Sequence, residues 1–535
     1  MSPAAQSGVG FVVLCGAGVS VAPPSSVPSW WGFNQAVLTE LRSRFLEERT
    51  PPKRAVNAMN RLSLDDLDVT EFSQLVSDAF AGATWFDVLG VLDGVAPNMN
   101  HLALAYWAKE GSLRTVVTTN FDTLIERAMH EAGVRHRVYD AQLDDVSRVA
   151  ASGTAIVKVH GSAPRRSSLV DLAAQKRRGL PVAWLDWLEA IFATNNVAVA
   201  GFSGADLALG DDYFRLKAAS GRTPSLLWLN RPGNRPSDGA SEVVRLLGSR
   251  GGFVDGTLPD AWSSLGAPLE VATGSASPQP DDSKADVAAA ISGWLDNPMV
   301  DADTCGLALS RLLDSAGKVS ASQALRTSIL TRVRRRLRAG LNVAGALRAA
   351  HQIGQLAGDE PPARAEQAIY CLGLASRALD AVLEHLPEES LAMEDVMLEV
   401  AHDRATILCN IGYFEVLRGR LPAAASAIMD ASRQTQLLDG VLRMDHDSSE
   451  LEVTGAIAYL RGDHDLARLF WHRSHDLATR VGNARRMKTT SANLHRLNLG
   501  IPLRVPLAGS ELLGGRTATR TGVGPPPEIA SGLSW

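Results

Sequence analysis

Residues 11–20 read FVVLCGAGVS, a short apolar run that leads directly into two closely spaced glycines. A run of this length that ends in a glycine turn is typical of a strand buried inside a parallel sheet. Ligands of such sheets bind beyond the carboxyl ends of the strands, and glycine lets the backbone approach a phosphate closely. The stretch predicts the first strand of an α/β domain, followed by a phosphate-binding turn. Taken alone, a plain tight turn explains the two glycines equally well.

Four further runs rich in Val, Ile and Leu follow, and they alternate with stretches whose apolar residues lie three and four apart. The runs are 115–117, 155–159, 197–200 and 226–229, and the helical stretches are 34–46, 102–109, 124–131 and 184–192. This alternation predicts a parallel, Rossmann-like sheet covered by helices. We expect the α/β domain to occupy residues 1–290, with a linker or an exposed loop at 266–285.

Residues 300–500 show helical periodicity without strand-like runs. Two segments match at an offset of 43 residues, with Leu417-Arg418-Gly419 repeated as Leu460-Arg461-Gly462 and Ala424 repeated as Ala467. The pattern is similar to tetratricopeptide repeats, although the period of that family is about 34 residues. We predict an all-α domain of helical-hairpin repeats, with generic antiparallel helix pairs as the alternative. The glycine- and proline-rich tail at 506–535 is predicted to be disordered.

The composition restricts the classes of partner. Lys plus Arg number 53 and Asp plus Glu 58, a net charge of -5, so no global positive charge attracts nucleic acid or an anionic membrane. The amino terminus lacks the features of a secretory signal, and no stretch approaches the roughly 20 apolar residues of a membrane span. The four cysteines, Cys15, Cys305, Cys371 and Cys409, form no C-x-x-C pair, which argues against structural zinc and a disulfide framework. We expect a cytoplasmic protein.

Side chains suited to catalysis or to ligand binding follow the predicted strands. Asn120 and Asp122 follow the second strand, where an amide can hold a ribose hydroxyl or a water, although Asp122 alone is equally a helix cap. His160 follows the third strand, where an imidazole can act as a general base, although a solitary histidine is more often structural. The fourth and fifth strands lead to Gly201-Phe202-Ser203 and to Asn230.

Taken in order, these segments resemble the sirtuin family across the first 230 residues. The matching segments are Gly16-Ala17-Gly18-Val19-Ser20 for the phosphate loop, Pro97-Asn98 with His101 and Leu104 for a helix start, Thr119-Asn120-Phe121-Asp122 for T-Q-N-x-D, His160-Gly161 for the catalytic pair, Gly201 with Ser203 for a Gly-x-Ser loop, and Asn230 for the asparagine near the adenosine ribose. Their order and spacing make the resemblance stronger than any single motif.

Two departures from sirtuin deacylases change the function that the resemblance implies. The cysteine pairs of their zinc ribbon are absent, since Cys305 is the next cysteine after Cys15, and their G-I-P-x-F-R segment is replaced by Val27-Pro28-Ser29-Trp30-Trp31. The pattern resembles sirtuin-like domains of bacterial phage-defence proteins, in which NAD is hydrolysed and a second domain controls activity. The resemblance therefore implies a zinc-free NAD glycohydrolase that acts in antiphage defence or abortive infection.

Under this resemblance Asn120 and His160 are the catalytic residues. The residues implied to bind NAD are Gly16, Ala17, Gly18, Ser20, Asp122, Gly201, Ser203 and Asn230. The helical domain would control activity, form a homo-oligomer and receive a protein trigger such as a phage protein.

Two other functions stay open at this point. One is an NAD-dependent protein deacylase, and the other is a non-catalytic sensor of NAD or ADP-ribose that signals through its helices. The arginines Arg332, Arg334, Arg335, Arg336 and Arg338 could grip nucleic acid phosphates, but a solvated helix face or a contact with acidic groups is the preferred interpretation. We therefore expect no nucleic acid partner.

Overall fold

A computed structural model describes residues 11–500 apart from several short stretches. The stretches left out are 68, 81–83, 94–95, 150–152, 209–212, 231–232, 234, 261–286, 298–299, 342, 359–363, 385–392, 439 and 482. The linker predicted at 266–285 and the disordered tail predicted at 506–535 lie outside the described residues.

Seven strands form one parallel sheet in the order β3-β4-β2-β1-β5-β6-β7. They are β1 Phe11–Cys15, β2 Leu113–Thr118, β3 His136–Asp140, β4 Thr154–Lys158, β5 Asn196–Ala200, β6 Leu226–Asn230 and β7 Gly251–Asp255. The predicted Rossmann-like sheet is confirmed, and each of the five apolar runs is a strand. β3 and β7 were not predicted, because they are the edge strands and their side chains are mostly half-buried or exposed.

Helices accompany the sheet along the first part of the chain. They are α1 Trp30–Glu48, α2 Lys53–Asn60, α3 Val69–Ser77, α4 Thr84–Val88, α5 Met99–Lys109, α6 Leu124–Glu131, α7 Ala173–Arg178, α8 Val182–Thr194, α9 Leu216–Ala219, α10 Asp238–Leu247 and α11 Val287–Leu295. Val12 and Leu14 of β1 belong to one apolar cluster, whereas Val13 and Cys15 belong to another. Because successive side chains of a strand point to opposite faces, the sheet is a central layer buried on both sides.

The strand register brings four loops to the same edge of the sheet. Cys15 pairs with Thr118 on one side and with Ala200 on the other, and Thr118 pairs with Lys158. The loops after β1, β2, β4 and β5 therefore leave the sheet at one level. The strand order reverses between β1 and β5, which is the position where open α/β sheets bind ligands.

From residue 302 onward the described residues form helices and no strands. These helices are α12 Ala302–Ser315, α13 Val319–Ala339, α14 Val343–Gly358, α15 Ala365–Glu384, α16 Met393–Leu417, α17 Leu421–Thr435, α18 Gly440–Leu460, α19 His464–Val481 and α20 Ala484–Asn498. The predicted all-helical C-terminal region is confirmed.

The 43-residue repeat corresponds to two helical hairpins, α16–α17 and α18–α19. A Cβ on Gly412 would lie 2.9 Å from Ile428 Cδ1, and a Cβ on the equivalent Gly455 would lie 2.6 Å from the Trp471 indole nitrogen. Glycine thus provides the closest helix contact at the same place in both hairpins. Gly419 and Gly462, which follow the first helix of each hairpin, both have positive φ.

The chain divides into two compact units that are not continuous in sequence. The described residues of the sheet unit fall within 11–40, 69–73 and 84–295, and those of the helical unit fall within 41–67, 74–80 and 296–500. Two segments that precede β2 in the sequence therefore pack with the helical unit. Among the described residues, no helix combines the length and the apolar character that crossing a membrane requires.

Candidate active site

Four polar side chains form a buried network beyond the ends of β1 and β2. Ser20 Oγ donates to Asp122 Oδ2 at 2.8 Å, and Asn120 Nδ2 donates to Ser20 Oγ at 3.1 Å and to Asp122 Oδ2 at 3.2 Å. His101 Nε2 lies 3.1 Å from Ser20 Oγ, while His101 Nδ1 accepts the Asn98 backbone N–H at 3.0 Å. Because Nδ1 accepts, Nε2 carries the proton and donates to Ser20. Burial, with the charge of Arg127, lowers the pKa of His101 to about 3, which keeps this imidazole neutral.

The start of α5 fastens the turn that carries Ser20. Asn98 Nδ2 donates to the carbonyls of Val19 and Ala22, both at 2.9 Å, and Asn100 Nδ2 donates to the Val19 carbonyl at 3.0 Å. Asn98 also caps α5 by accepting the Asn100 N–H. In the sequence, Asn98 and His101 carry part of the sirtuin resemblance but are not among the predicted site residues. The structure places both of them against it.

The side-chain oxygen of Asn120 has no hydrogen-bond partner although it is buried. The amide nitrogen faces a carboxylate and a hydroxyl, so the oxygen is directed away from both. The backbone N–H of Asn120 donates to Thr118 Oγ1 at 3.0 Å, which fixes the residue at the end of β2. A buried carbonyl without a donor is costly in an isolated protein, and it is the atom that a bound ligand can satisfy.

Asp122 uses its two carboxyl oxygens on different groups. Its Oδ2 accepts from Ser20 and Asn120, and its Oδ1 accepts the Leu124 backbone N–H at 3.1 Å at the start of α6. Burial raises the pKa of Asp122, whereas the charge of Lys158 and the bonds from Ser20 and Leu124 act to lower it. The carboxyl group is thus both a helix cap and a member of the network.

His160 occupies the equivalent position on the neighbouring strand. Since Thr118 pairs with Lys158, Asn120 and His160 each lie two residues beyond the same level of the sheet. The imidazole packs among aromatic rings, with centroid distances of 6.4 Å to Phe121, 5.7 Å to Tyr213 and 6.5 Å to Phe214. Its Nε2 is buried and has no hydrogen-bond partner.

Burial determines the protonation state of His160. Desolvation lowers its pKa to about 4, although the negative charge of Asp206 opposes this and the positive charge of Lys176 adds to it. At neutral pH the imidazole is therefore uncharged. A neutral imidazole with an unpartnered nitrogen can accept a proton from a ligand.

The glycines of the two turns pack against each other. Gly16 N donates to the Ala200 carbonyl at 3.0 Å and Gly18 N donates to the Gly201 carbonyl at 2.8 Å. A Cβ on Gly16 or on Gly18 would lie 2.7 Å from the backbone of the 201–202 turn. From the sequence, the missing side chains of Gly16 and Gly18 were expected to let a phosphate approach closely. In the structure, the amides of these two glycines instead lie against another loop of the same sheet.

Ser203 and Asn230 lie on the other side of the strand-order reversal. Ser203 is exposed beyond β5, and Asn230 ends β6, where its carbonyl accepts the Gly256 N–H at 2.9 Å. Asn120 and His160 lie beyond β2 and β4 instead. The residues chosen from the sequence therefore form two groups along one edge of the sheet.

Residues 114–244 match the SIR2-like domain family. The chain therefore contains a SIR2-like domain. The matched range begins in β2 and ends in α10, so it covers Asn120, Asp122, His160, Gly201, Ser203 and Asn230 but not the 16–20 turn. SIR2-like domains bind NAD, and the match supports an NAD-related function for this edge of the sheet. No curated protein matches the chain.

Several residues of the site were not found from the sequence. Phe121, Tyr213 and Phe214 surround His160, and Lys158 and Glu126 lie below the Asn120 turn. Lys158 lies two residues before His160. An ionisable residue in a buried strand is unusual, and this is the feature of the sequence that could have identified Lys158 as part of the site. Among the described residues no group of three or more His, Cys, Asp or Glu side chains is arranged to hold a metal ion.

Proposed function

We propose that the SIR2-like domain hydrolyses NAD to nicotinamide and ADP-ribose. The observation that carries this proposal is the buried, unpartnered oxygen of Asn120, which the network of Ser20, Asp122 and His101 holds in one orientation. Cleavage of the nicotinamide–ribose bond develops positive charge on the ribose. A preoriented amide oxygen stabilises such a centre or positions the attacking water.

His160 would serve as the base of this reaction. Its unpartnered Nε2 and its lowered pKa keep a proton acceptor available at neutral pH. It can take the proton of the attacking water or of a ribose hydroxyl. The aromatic rings around it exclude solvent and would leave an apolar wall for the nicotinamide side of the substrate.

The remaining predicted residues would hold the rest of NAD. In this proposal Asp122 lies beside the nicotinamide ribose, while Gly201, Ser203 and Asn230 bind the adenosine side. The diphosphate would lie on the 16–20 turn. Since the amides of Gly16 and Gly18 are bonded to the 200–201 backbone and that of Val19 to the Gly16 carbonyl, a contact from this turn falls to the Ala17 amide, while the Ser20 hydroxyl would act by holding Asp122 and Asn120.

The proposal is tested by incubating the full chain with NAD and measuring nicotinamide and ADP-ribose. We expect release of both products, and a loss of on the order of a hundredfold in rate for Asn120→Ala and for His160→Ala. Asn195→Ala is the matched control. Asn195 precedes β5 at the opposite edge of the sheet, and its side-chain amide donates to residues at the end of α8. Equal activity of Asn120→Ala and Asn195→Ala would contradict the assignment.

The same assay separates the two other functions. A protein deacylase would release nicotinamide only when an acyl-lysine peptide is present. A sensor would bind NAD or ADP-ribose without turnover.

For the biological role, we propose a cytoplasmic antiphage enzyme of the abortive-infection type that is zinc-free and homo-oligomeric. The support for this is the resemblance to sirtuin-like defence proteins together with a helical C-terminal region of hairpin repeats. The helical region would receive a protein trigger. Measuring NAD hydrolysis by the full chain with and without proteins from an infecting phage tests this; identical rates with all of them would contradict a trigger of that kind.

A further inference from the structure

We propose that Lys158 is a positioning residue, which holds the Asn120–Asp122 turn and places a positive charge next to Asp122. This inference rests on the proposed NAD hydrolysis, and it assigns a role to a residue that the mechanism above does not use. Lys158 is the last residue of β4, and its side chain is completely buried.

The ammonium group of Lys158 joins three parts of the fold. Nζ donates to Glu126 Oε1 of α6 at 2.9 Å, to the backbone carbonyl of Asp122, and to the Phe121 carbonyl at 3.5 Å. An ammonium has three protons, so these three acceptors match its capacity. The turn that carries Asn120 is therefore hydrogen-bonded to β4 through Lys158 Nζ and to β2 through Thr118 Oγ1.

Stability alone does not account for this buried ion pair. Removing an ammonium and a carboxylate from water is expensive, and apolar side chains of similar size often replace such a pair without loss of stability. The particular feature of Lys158 is its place next to the turn, where its charge acts on Asp122.

The charged and polar groups around Asp122 come from five elements. They are Cys15 of β1, Ser20 in the turn after β1, His101 of α5 through Ser20, Glu126 of α6 with Arg127 beside His101, and Lys158 of β4. On balance the pKa of Asp122 is raised: burial raises it most, the Lys158 charge is the largest opposing effect, and the Glu126 charge raises the pKa further. Lys158 and Glu126 therefore act on the same carboxyl group in opposite directions.

The protonation state of Asp122 affects the hydrogen bonds that orient Asn120. A carboxylate accepts hydrogen bonds only, so both Ser20 Oγ and Asn120 Nδ2 donate to Oδ2. A protonated Asp122 would place an O–H donor in this network, and the amide nitrogen would compete with it. The Asn120 oxygen would then no longer be held away from the carboxyl group, towards the substrate.

The experiment measures NAD hydrolysis by the full chain against pH for Lys158→Met, Lys158→Arg, Glu126→Gln and the control Lys109→Met, whose lysine is exposed at the end of α5. We expect Lys158→Met to lower the rate at neutral pH by on the order of a hundredfold and to move the acid limb of the profile to higher pH. Lys158→Arg should restore part of the rate because it keeps the charge. Glu126→Gln should move the acid limb to lower pH, and Lys109→Met should leave the profile unchanged.

A second readout follows the ionisation of Asp122 without using activity. The carboxyl-carbon NMR signal of Asp122 is assigned by its loss in Asp122→Asn and then titrated in each variant. We expect its midpoint to rise in Lys158→Met and to fall in Glu126→Gln.

Midpoints that do not move, or that move in the same direction in both variants, overturn the inference whether or not the enzyme is active. If Lys158→Met does not fold, the Asp122 midpoint in Glu126→Gln alone tests the inference. This variant should fold, because the glutamine amide keeps an oxygen that accepts from Lys158 Nζ. A wild-type chain that titrates as expected but never cleaves NAD overturns the proposed function alone.

Discussion

Two buried polar sites, one in the sheet unit and one in the helical unit, differ in the groups that surround them. In the sheet unit Asn120 Oδ1 and His160 Nε2 are buried without partners at the same edge of the sheet. In the helical unit the buried carboxylate of Asp303 lies within 3.4 Å of the guanidinium groups of Arg49, Arg332 and Arg336. Unpartnered atoms that converge on one place indicate a ligand site, whereas groups that pair with each other indicate internal packing.

The arginine cluster at 332–338 illustrates the second case. Arg332 pairs with Asp303, and Arg336 pairs with Asp301 at 2.7 Å. Although burial acts against it, the pKa of Asp301 is lowered to about 2 by the hydrogen bond and charge of Arg336 and by the Thr304 N–H. The guanidinium groups of Arg334 and Arg338 lie over the Tyr370 ring. These contacts favour acidic and aromatic neighbours within the unit as the reason for the cluster.

The largest expected effect on stability is the loss of Asp303. Asp303→Ala leaves three guanidinium groups around a buried, empty position, which should cost about 3 to 5 kcal/mol of unfolding free energy in urea. The control is Asp314→Ala, which removes a partly exposed partner of Arg326 and should cost at most about 1 kcal/mol. Asn120→Ala should also cost about 1 kcal/mol of unfolding free energy, although it lowers the rate by on the order of a hundredfold. Equal losses for Asp303→Ala and Asp314→Ala would show that the buried Asp303 cluster is worth no more than a partly exposed ion pair.

Gly161 gives the next largest effect, in the sheet unit. Its φ is +84°, and an added Cβ would lie 2.2 Å from the Ser168 carbonyl oxygen, so Gly161→Ala should cost about 3 kcal/mol. Gly111 has a similar φ of +76° and nothing within 4 Å of the added Cβ. Gly111→Ala should therefore cost only about 1 kcal/mol. Thermal unfolding of both variants measures the two losses. The excess loss for Gly161→Ala over Gly111→Ala is the cost of crowding beside His160, and equal losses would show that crowding is unimportant.

The sequence predicted the sheet well because five strands are buried on both faces and appear as apolar runs. It also predicted that Asn120 and His160 would lie at one edge, since parallel strands end on the same side. It did not predict Tyr213 and Phe214, which reach His160 from a loop more than fifty residues away in the chain. Nor could it separate the two uses of Gly16 and Gly18, because close approach to a phosphate and to another backbone both require a missing side chain.

The two helical hairpins permit a smaller and internally controlled test. In Gly455→Ala the new methyl group meets the rigid Trp471 indole, so we expect a loss of about 2 kcal/mol. In Gly412→Ala it meets the Cδ1 end of Ile428, which can move, and the gain in helix propensity of about 1 kcal/mol offsets the contact. Urea unfolding of both variants measures the difference. A larger loss for Gly412→Ala would show that the hairpins are not equivalent.

The smallest expected effect concerns a histidine pair of the helical unit. His446 Nε2 lies 2.9 Å from His402 Nδ1, and burial lowers the pKa of both residues, that of His446 to about 3. The unfolded chain binds a proton on each imidazole near pH 6.5, whereas the folded chain does not, so stability falls as the pH falls below that value.

The sign differs for the neighbouring His351. Although burial acts to lower it, its pKa is raised by the Asp403 carboxylate at 2.8 Å, so its contribution is complete below about pH 6.5 and is lost only at higher pH. Between about pH 6.5 and pH 5.5, His446 alone should remove about 1 kcal/mol of unfolding free energy, and His402 changes the stability in the same direction. His446→Gln should therefore narrow the difference between urea midpoints measured at these two pH values. An unchanged difference would mean that His402 and His446 are already protonated in the folded chain. Asp445 would then have to balance the repulsion between the two charged imidazoles, although it already forms an ion pair with Arg486 at 2.8 Å.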